Sequence, residues 1–111
     1  LPTVAQTQAV VDEMKAQGVL AGNFYWYNNN WHYIRKWDHL KNAETLNRLN
    51  DAQRNALLGL QTQDFSISDG IMGRCISTAI SLLWTEAQIA EKGRKMVEII
   101  EQVLESSAVE V

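Results

Sequence analysis

Thr85-Glu86-Ala87-Gln88 has the spacing of a capping box, and behind it Ile89, Met96, Val97, Ile100, Val103 and Leu104 recur at helical intervals. A helix of that length with a single apolar stripe gains its stability from packing, so the rest of the chain must supply a layer to cover it. A second marked helix stands at the other end. Thr3 and Gln6 again have capping-box spacing, Val4, Val10, Val11 and Met14 form a stripe, and Gly18 suits the left-handed position that ends a helix. The long helix is expected to fray from Ser106 onward. Gly93 inside it is expected to permit close packing. With 46% hydrophobic residues among 111, the chain has the material for one core and one domain, residues 1–111.

Between the helices, residues 19–27 are rich in strand formers, with a bulge or turn expected at Gly22-Asn23. Asn28, Asn29 and Asn30 close that stretch, because Asn makes Asx turns. Ile34, Trp37 and Leu40 predict a short amphipathic helix over residues 31–41. Residues 43–60 read as helix broken near Asn50-Asp51, and the polar stretch 61–74, with Asp69-Gly70 and Gly73, reads as loop. Residues 43–74 are thus a helical and loop insertion. Residues 75–82 predict a mostly buried strand with Ile76, Ile80 and Leu82 on one face. This order gives a small α/β fold, an α+β two-layer sandwich of a short sheet against helices. A two-stranded ribbon leaves exposed edges, so a third strand is expected, with Leu1-Pro2 as its last residues. The chain then reads as a piece of something longer.

Composition narrows the chemistry. A net charge of −3 speaks against nucleic acid, which needs a basic face. No apolar run approaches the ~20 residues that span a bilayer. The single cysteine, Cys75, cannot form an internal disulfide and reads as a small buried hydrophobe, so a cytoplasmic protein is expected. His32 and His39 lie seven apart, about 10 Å along a helix, too far to ligate one metal. Lys15, Lys36, Lys41, Lys92 and Lys95 all fall on polar, solvated faces, unlike a nucleophilic lysine. What stands out is residues 24–37, which hold seven of the nine aromatics, interleaved with Asn28, Asn29, Asn30 and His32. Such a block is either core or a surface whose rings stack on a polar ligand while amide and imidazole groups bond its hydroxyls.

Leu1-Pro2-Thr3, the helix ending at Gly18, the Phe24-Tyr25-Trp26-Tyr27 block with Asn29-Asn30-Trp31-His32-Tyr33, the Ser68 to Arg74 run, Ile76-Ser77 and the Leu83 to Glu91 run resemble a known family. It is the DegT/DnrJ/EryC1/StrS family of pyridoxal-phosphate sugar aminotransferases, in its C-terminal part. The likeness points to the branch that makes 8-amino-3,8-dideoxy-manno-octulosonate, an amino sugar acid of bacterial lipopolysaccharide. Residues 43–65 carry the least of it, and Asn28 to Asn30 stand where the wider family favours prolines.

The resemblance implies fold-type-I architecture, in which a large domain of the same parent chain holds the pyridoxal 5'-phosphate and its lysine. This chain would be the small C-terminal domain that closes over it in a homodimer, with no catalytic residue of its own. The implied reaction moves an amino group from glutamate to a keto or aldehydo sugar. By the same resemblance Tyr25, Trp26, Asn30, Trp31 and His32 contact the sugar, Trp26 and Trp31 by stacking, Asn30 and His32 by hydrogen bonds. Arg74, ahead of Arg35, is the candidate partner for an anionic group, since a guanidinium grips a carboxylate with two bonds. A different class remains open on the residues alone: a non-catalytic carbohydrate-binding or dimerisation module anchored by the aromatic block.

Overall fold

The computed structural model of the chain describes residues 1–19, 24–29 and 31–109. Thr3 caps helix α1 (Val4–Ala16), its hydroxyl accepting from the Gln6 N–H at 3.1 Å. The same hydroxyl donates to Gln6 Oε1 at 3.0 Å, which replaces the reciprocal half of the expected box. At the other end Gly18 adopts φ 61°, the Val19 N–H donates to the Met14 carbonyl and the Gly18 N–H to that of Lys15, both at 3.1 Å. That pair of bonds is a Schellman stop, and Val19 meets Met14 in the core as the motif's apolar contact. Gly18→Ala is expected to cost about 1–2 kcal/mol through the left-handed backbone alone, because nothing lies within 4 Å of the added methyl. Thermal denaturation checks this; an unchanged Tm would refute the assigned backbone strain.

Helix α5 (Glu86–Val109) opens with both halves of its box, Gln88 N–H to Thr85 Oγ at 3.3 Å and Thr85 N–H to Gln88 Oε1 at 2.9 Å. It runs through the segment expected to fray, where the Ser106 and Ser107 hydroxyls each donate to the carbonyl four residues back at 2.8 Å. Its inward face is Met96, Ile99, Ile100 and Val103. Ile99, absent from the expected stripe, is its most buried residue at 2% exposure, whereas Ile89 and Val97 are exposed. Gly93 is not a close-packing glycine either, since a methyl there would meet nothing within 4 Å. Gly93→Ala is therefore expected to stabilise the chain by up to about 1 kcal/mol, read as a higher Tm; a lower Tm would show a hidden contact.

The core lies between α1 and α5. Val10, Met14, Val19 and Ile99 form its centre, with Leu1, Ile76 and Trp84 packed around them. Thr7 is fully buried in place of Val4, and its hydroxyl donates to the Thr3 carbonyl at 2.7 Å, so no polar atom is stranded. Lys92 does not lie on a solvated face as expected. Its ammonium donates to the Val19 carbonyl at 3.0 Å and sits 5.0 Å over the Trp84 ring, tying α5 to the end of α1.

The sheet is much smaller than the sequence predicts. Strand β1 (Phe24–Tyr25) pairs antiparallel with a later strand (Ile76–Ser77, β2), Phe24 opposite Ser77 and Tyr25 opposite Ile76. The Trp26 N–H extends the ladder to the Cys75 carbonyl at 3.0 Å before a 3-10 turn over Trp26–Asn28. Residues 20–23, which include the expected break at Gly22-Asn23, lie outside the described residues. The second strand does not reach residue 82: Ile80 and Leu83 are exposed and Leu82 is 99% exposed. Apolar alternation buries a strand only where a neighbouring layer covers it, and none does so among the described residues. No third strand appears among the described residues, although the Leu1 amino group donates to the Arg74 carbonyl at 3.0 Å.

The middle of the chain is also rearranged. The amphipathic helix expected over 31–41 divides at Trp37 into a 3-10 turn (Ile34–Lys36) and the short α2 (Asp38–Lys41). Ala43, at φ 55°, then stops α2, with the Glu44 N–H on the His39 carbonyl at 2.7 Å, so no helix begins at residue 43. Helix α3 (Asp51–Leu58) starts where a break was expected, because Asn50 and Gln53 form a complete capping box. A 3-10 turn (Gly59–Thr62) follows across the expected helix–loop boundary, and within the expected loop lies helix α4 (Ser66–Met72). Gly73 follows it at a close approach, where a methyl would lie 2.9 Å from Val4 Cγ2 and 3.1 Å from the Tyr25 hydroxyl.

The result is a mostly helical small domain with one short strand pair, which keeps the expected architecture only in outline. Its radius of gyration is 18.9 Å, against about 13 Å for a compact chain of this length, and its thinnest dimension is 18 Å. Among the described residues no helix is long and apolar enough to cross a membrane.

Candidate functional site

The aromatic block resolves into two groups with different fates. Tyr25 on β1 and Tyr33 turn inward and are buried. Tyr27 stacks on Tyr25 with ring centroids 5.8 Å apart and takes the edge of Tyr33 at 5.6 Å. Burial pushes the Tyr25 phenol above its ordinary range, and the neighbouring Tyr27 adds to the shift. This trio is structural at its base, as the core reading of the block holds.

The trio is locked to α4 by a carboxylate. Asp69 Oδ1 accepts from the Tyr33 hydroxyl and from Arg35 Nε, the latter at 2.6 Å. The Arg35 guanidinium also lies 5.0 Å over Phe65, and Lys36 sits 4.2 Å over Tyr27. Partial burial pushes the Asp69 carboxyl up, but the bonds from Tyr33 and Arg35 outweigh it and hold the group below the usual carboxylate range. Burial raises Tyr33, and its bond to Asp69 raises it further, so the phenol stays protonated and acts as a donor. Arg35, weighed as a grip for an anionic ligand, is thereby committed within the fold.

In the second group Trp31 and His32 are exposed and Trp26 is half-buried. Asn29 is buried, and its Oδ1 accepts from the Trp31 N–H at 3.1 Å, an Asx turn that leaves Trp31 83% exposed. Trp26 and His32 stack with centroids 6.1 Å apart and planes within 12°. His39 pairs instead with Trp37, at 6.4 Å. Of the residues expected to face a sugar, Trp26 and His32 are thus brought together, Trp31 is displayed beside them in sequence, and Tyr25 is withdrawn into the core. Asn30 lies outside the described residues. Arg74 folds back on α4, Nε donating to the Gly70 carbonyl at 2.8 Å, and among the described residues no bond joins it to the aromatic block.

Sequence reasoning missed Asp69, reading it as part of a polar loop over residues 61–74. Its partners stand 34 and 36 residues away, beyond any local pattern. A signal was present only in hindsight of the helix: Ser66, bonded to the Asp64 carboxylate at 2.8 Å, marks where α4 begins.

Cysteine, histidine and carboxylates do not cluster in threes among the described residues. Lys41 and Lys95 pair with Asp38 and Glu91, Lys36 covers Tyr27, Lys92 is held by the Val19 carbonyl, and Lys15 is exposed. No family model matches the chain, and no solved structure matches it.

Proposed function

We propose that this chain is the small, substrate-covering domain of a pyridoxal-phosphate-dependent sugar aminotransferase. In this reading the parent transfers an amino group from glutamate to a keto or aldehydo sugar in lipopolysaccharide amino-sugar synthesis. A large domain of the same parent chain holds the cofactor, and the parent works as a cytoplasmic homodimer. The observation that carries the reading is the less buried part of the aromatic block: a Trp26–His32 stack with Trp31, its neighbour in sequence, displayed to solvent. Flat rings next to an imidazole suit a sugar, whose apolar ring face stacks while its hydroxyls bond. Further support comes from the uncovered Ile80, Leu82 and Leu83, side chains that a packed neighbour would bury. The same surface also favours a second reading, a non-catalytic carbohydrate-binding or dimerisation module.

The test is His32→Ala in the intact parent, read from the open frame that contains this segment. Exposed His32 contributes little to packing, so Tm is expected to stay nearly constant while turnover falls about tenfold, the scale of one lost hydrogen bond. A stable variant with full activity would overturn the assignment of His32 to the substrate. A parent frame lacking a transaminase domain would leave the module reading in its place.

A further inference from the structure

We infer that the open face of α5 is the contact through which two copies of this chain associate, as an antiparallel helix pair. Ile89, Gly93, Val97, Ile100 and Leu104 recur at spacings of three and four and so share one stripe of the helix. That stripe runs beside the one packed on α1, and Ile100 borders both. Ile89 and Val97 are 54% and 53% exposed, and Leu104 is half-buried. A methyl built on Gly93 would meet nothing within 4 Å. Glycine weakens a helix interior, and no neighbour within the chain requires this one. An apolar stripe with a hollow along it is the surface into which a second helix packs its side chains.

The occupant is a second copy because the stripe is complementary to itself. A two-fold axis set level with Glu98 and Ile99 runs two α5 helices antiparallel. It places Gly93 opposite the partner's Leu104 and Val97 opposite the partner's Ile100, so a leucine fills each glycine hollow. A parallel pair would set Gly93 against its own copy and leave the hollow empty. Charge follows the same register. Arg94 and Glu101 lie along the exposed edge of the stripe, and the antiparallel pair brings Arg94 beside the partner's Glu101 in two symmetric pairs. Glu101 has no ion pair among the described residues. Arg94 holds Glu98 in an exposed i,i+4 pair, which exchanges at little cost. The opposed helix dipoles favour the same arrangement. This contact does not rest on the aminotransferase reading, whose homodimer is a property of the whole parent.

The experiment is sedimentation velocity of the 111-residue chain over a concentration series. The mass is expected to rise from 12.6 kDa toward twice that value. Val97→Glu puts a carboxylate into the apolar layer and is expected to weaken association by more than about tenfold, while the dilute variant keeps its helical circular dichroism. Arg94→Glu sets like charges face to face and is expected to weaken association about tenfold; adding Glu101→Arg should restore it to within about threefold of wild type. Failure of that rescue would overturn the antiparallel register. A chain that stays monomeric throughout the series, or a dimer that Val97→Glu leaves intact, would overturn the contact itself. A dimer lost instead on Leu82→Ser would move association to the uncovered residues before α5 and overturn it equally. Parent turnover of His32→Ala bears on the aminotransferase reading alone, so the two can fail separately.

Discussion

Met14→Ala is expected to lower the unfolding free energy by about 2–5 kcal/mol, read as a fall in the urea midpoint at unchanged slope. Met14 is among the largest fully buried side chains and sits with Val10, Val19 and Ile99 at the centre of the α1–α5 core. It also supplies the carbonyl that the Val19 N–H bonds in the Schellman stop, so its side chain and backbone fasten the same corner. A cavity there has few ways to close, because Val10 and Ile99 are held on separate helices. The chain is thin, and total stability for small domains is only about 5–15 kcal/mol; the variant should be substantially unfolded at 37 °C. Val97→Ala, on the open side of α5, is the control and is expected to change stability by less than about 0.5 kcal/mol. Comparable losses in the two variants would show that α5 is buried on a different face.

Disconnecting Asp69 is expected to produce the second large effect. Tyr33→Phe removes one of the two bonds on Oδ1 and should cost about 1–2 kcal/mol, toward the lower end for a bond to a charged group that is partly screened by water. Asp69→Asn removes the charge itself and leaves Arg35 without its partner, so its Tm should fall further than that of Tyr33→Phe. The pH dependence follows from the same cluster. The folded Asp69 carboxyl titrates below its unfolded value, so over that interval the unfolded chain binds more protons. Its stabilising contribution is therefore complete above about pH 4, the unfolded value, and is lost as pH falls through the lower folded one. Asp38, held down by Lys41, and Asp64, held down by the Ser66 N–H, act in the same direction. Wild type should lose stability on acidification below that point, and Asp69→Asn should flatten part of the loss. An acid limb identical in both proteins would remove Asp69 from the account.

How much of the candidate site could be read in advance differs from residue to residue. That residues 24–37 mattered was plain from seven aromatics in fourteen positions. Which of them face out was not. The sequence places Tyr25 on the sugar-facing surface and Asp69 in a polar loop, whereas Tyr25 is buried and Asp69, on α4, accepts from Tyr33. The difference comes from α4, whose formation brings a carboxylate to Tyr33 and Arg35 across more than thirty residues. Gly93 shows the converse error. A glycine inside a helix suggests a close neighbour, yet packing left that side of α5 open.

By itself the sequence determined the features whose hydrogen bonds close within a turn of chain. The caps at Thr3 and Thr85, the stop at Gly18 and the Asx turn at Asn29 depend on partners two to five residues away, and each stands where those partners predicted it. Only the tertiary structure decided which stripe of α5 is buried, how short the sheet is, that Lys92 serves the fold instead of the solvent, and that Arg35 is bound to Asp69. Those outcomes depend on which distant segment comes to lie alongside, and burial is a property of the pair of surfaces rather than of either one.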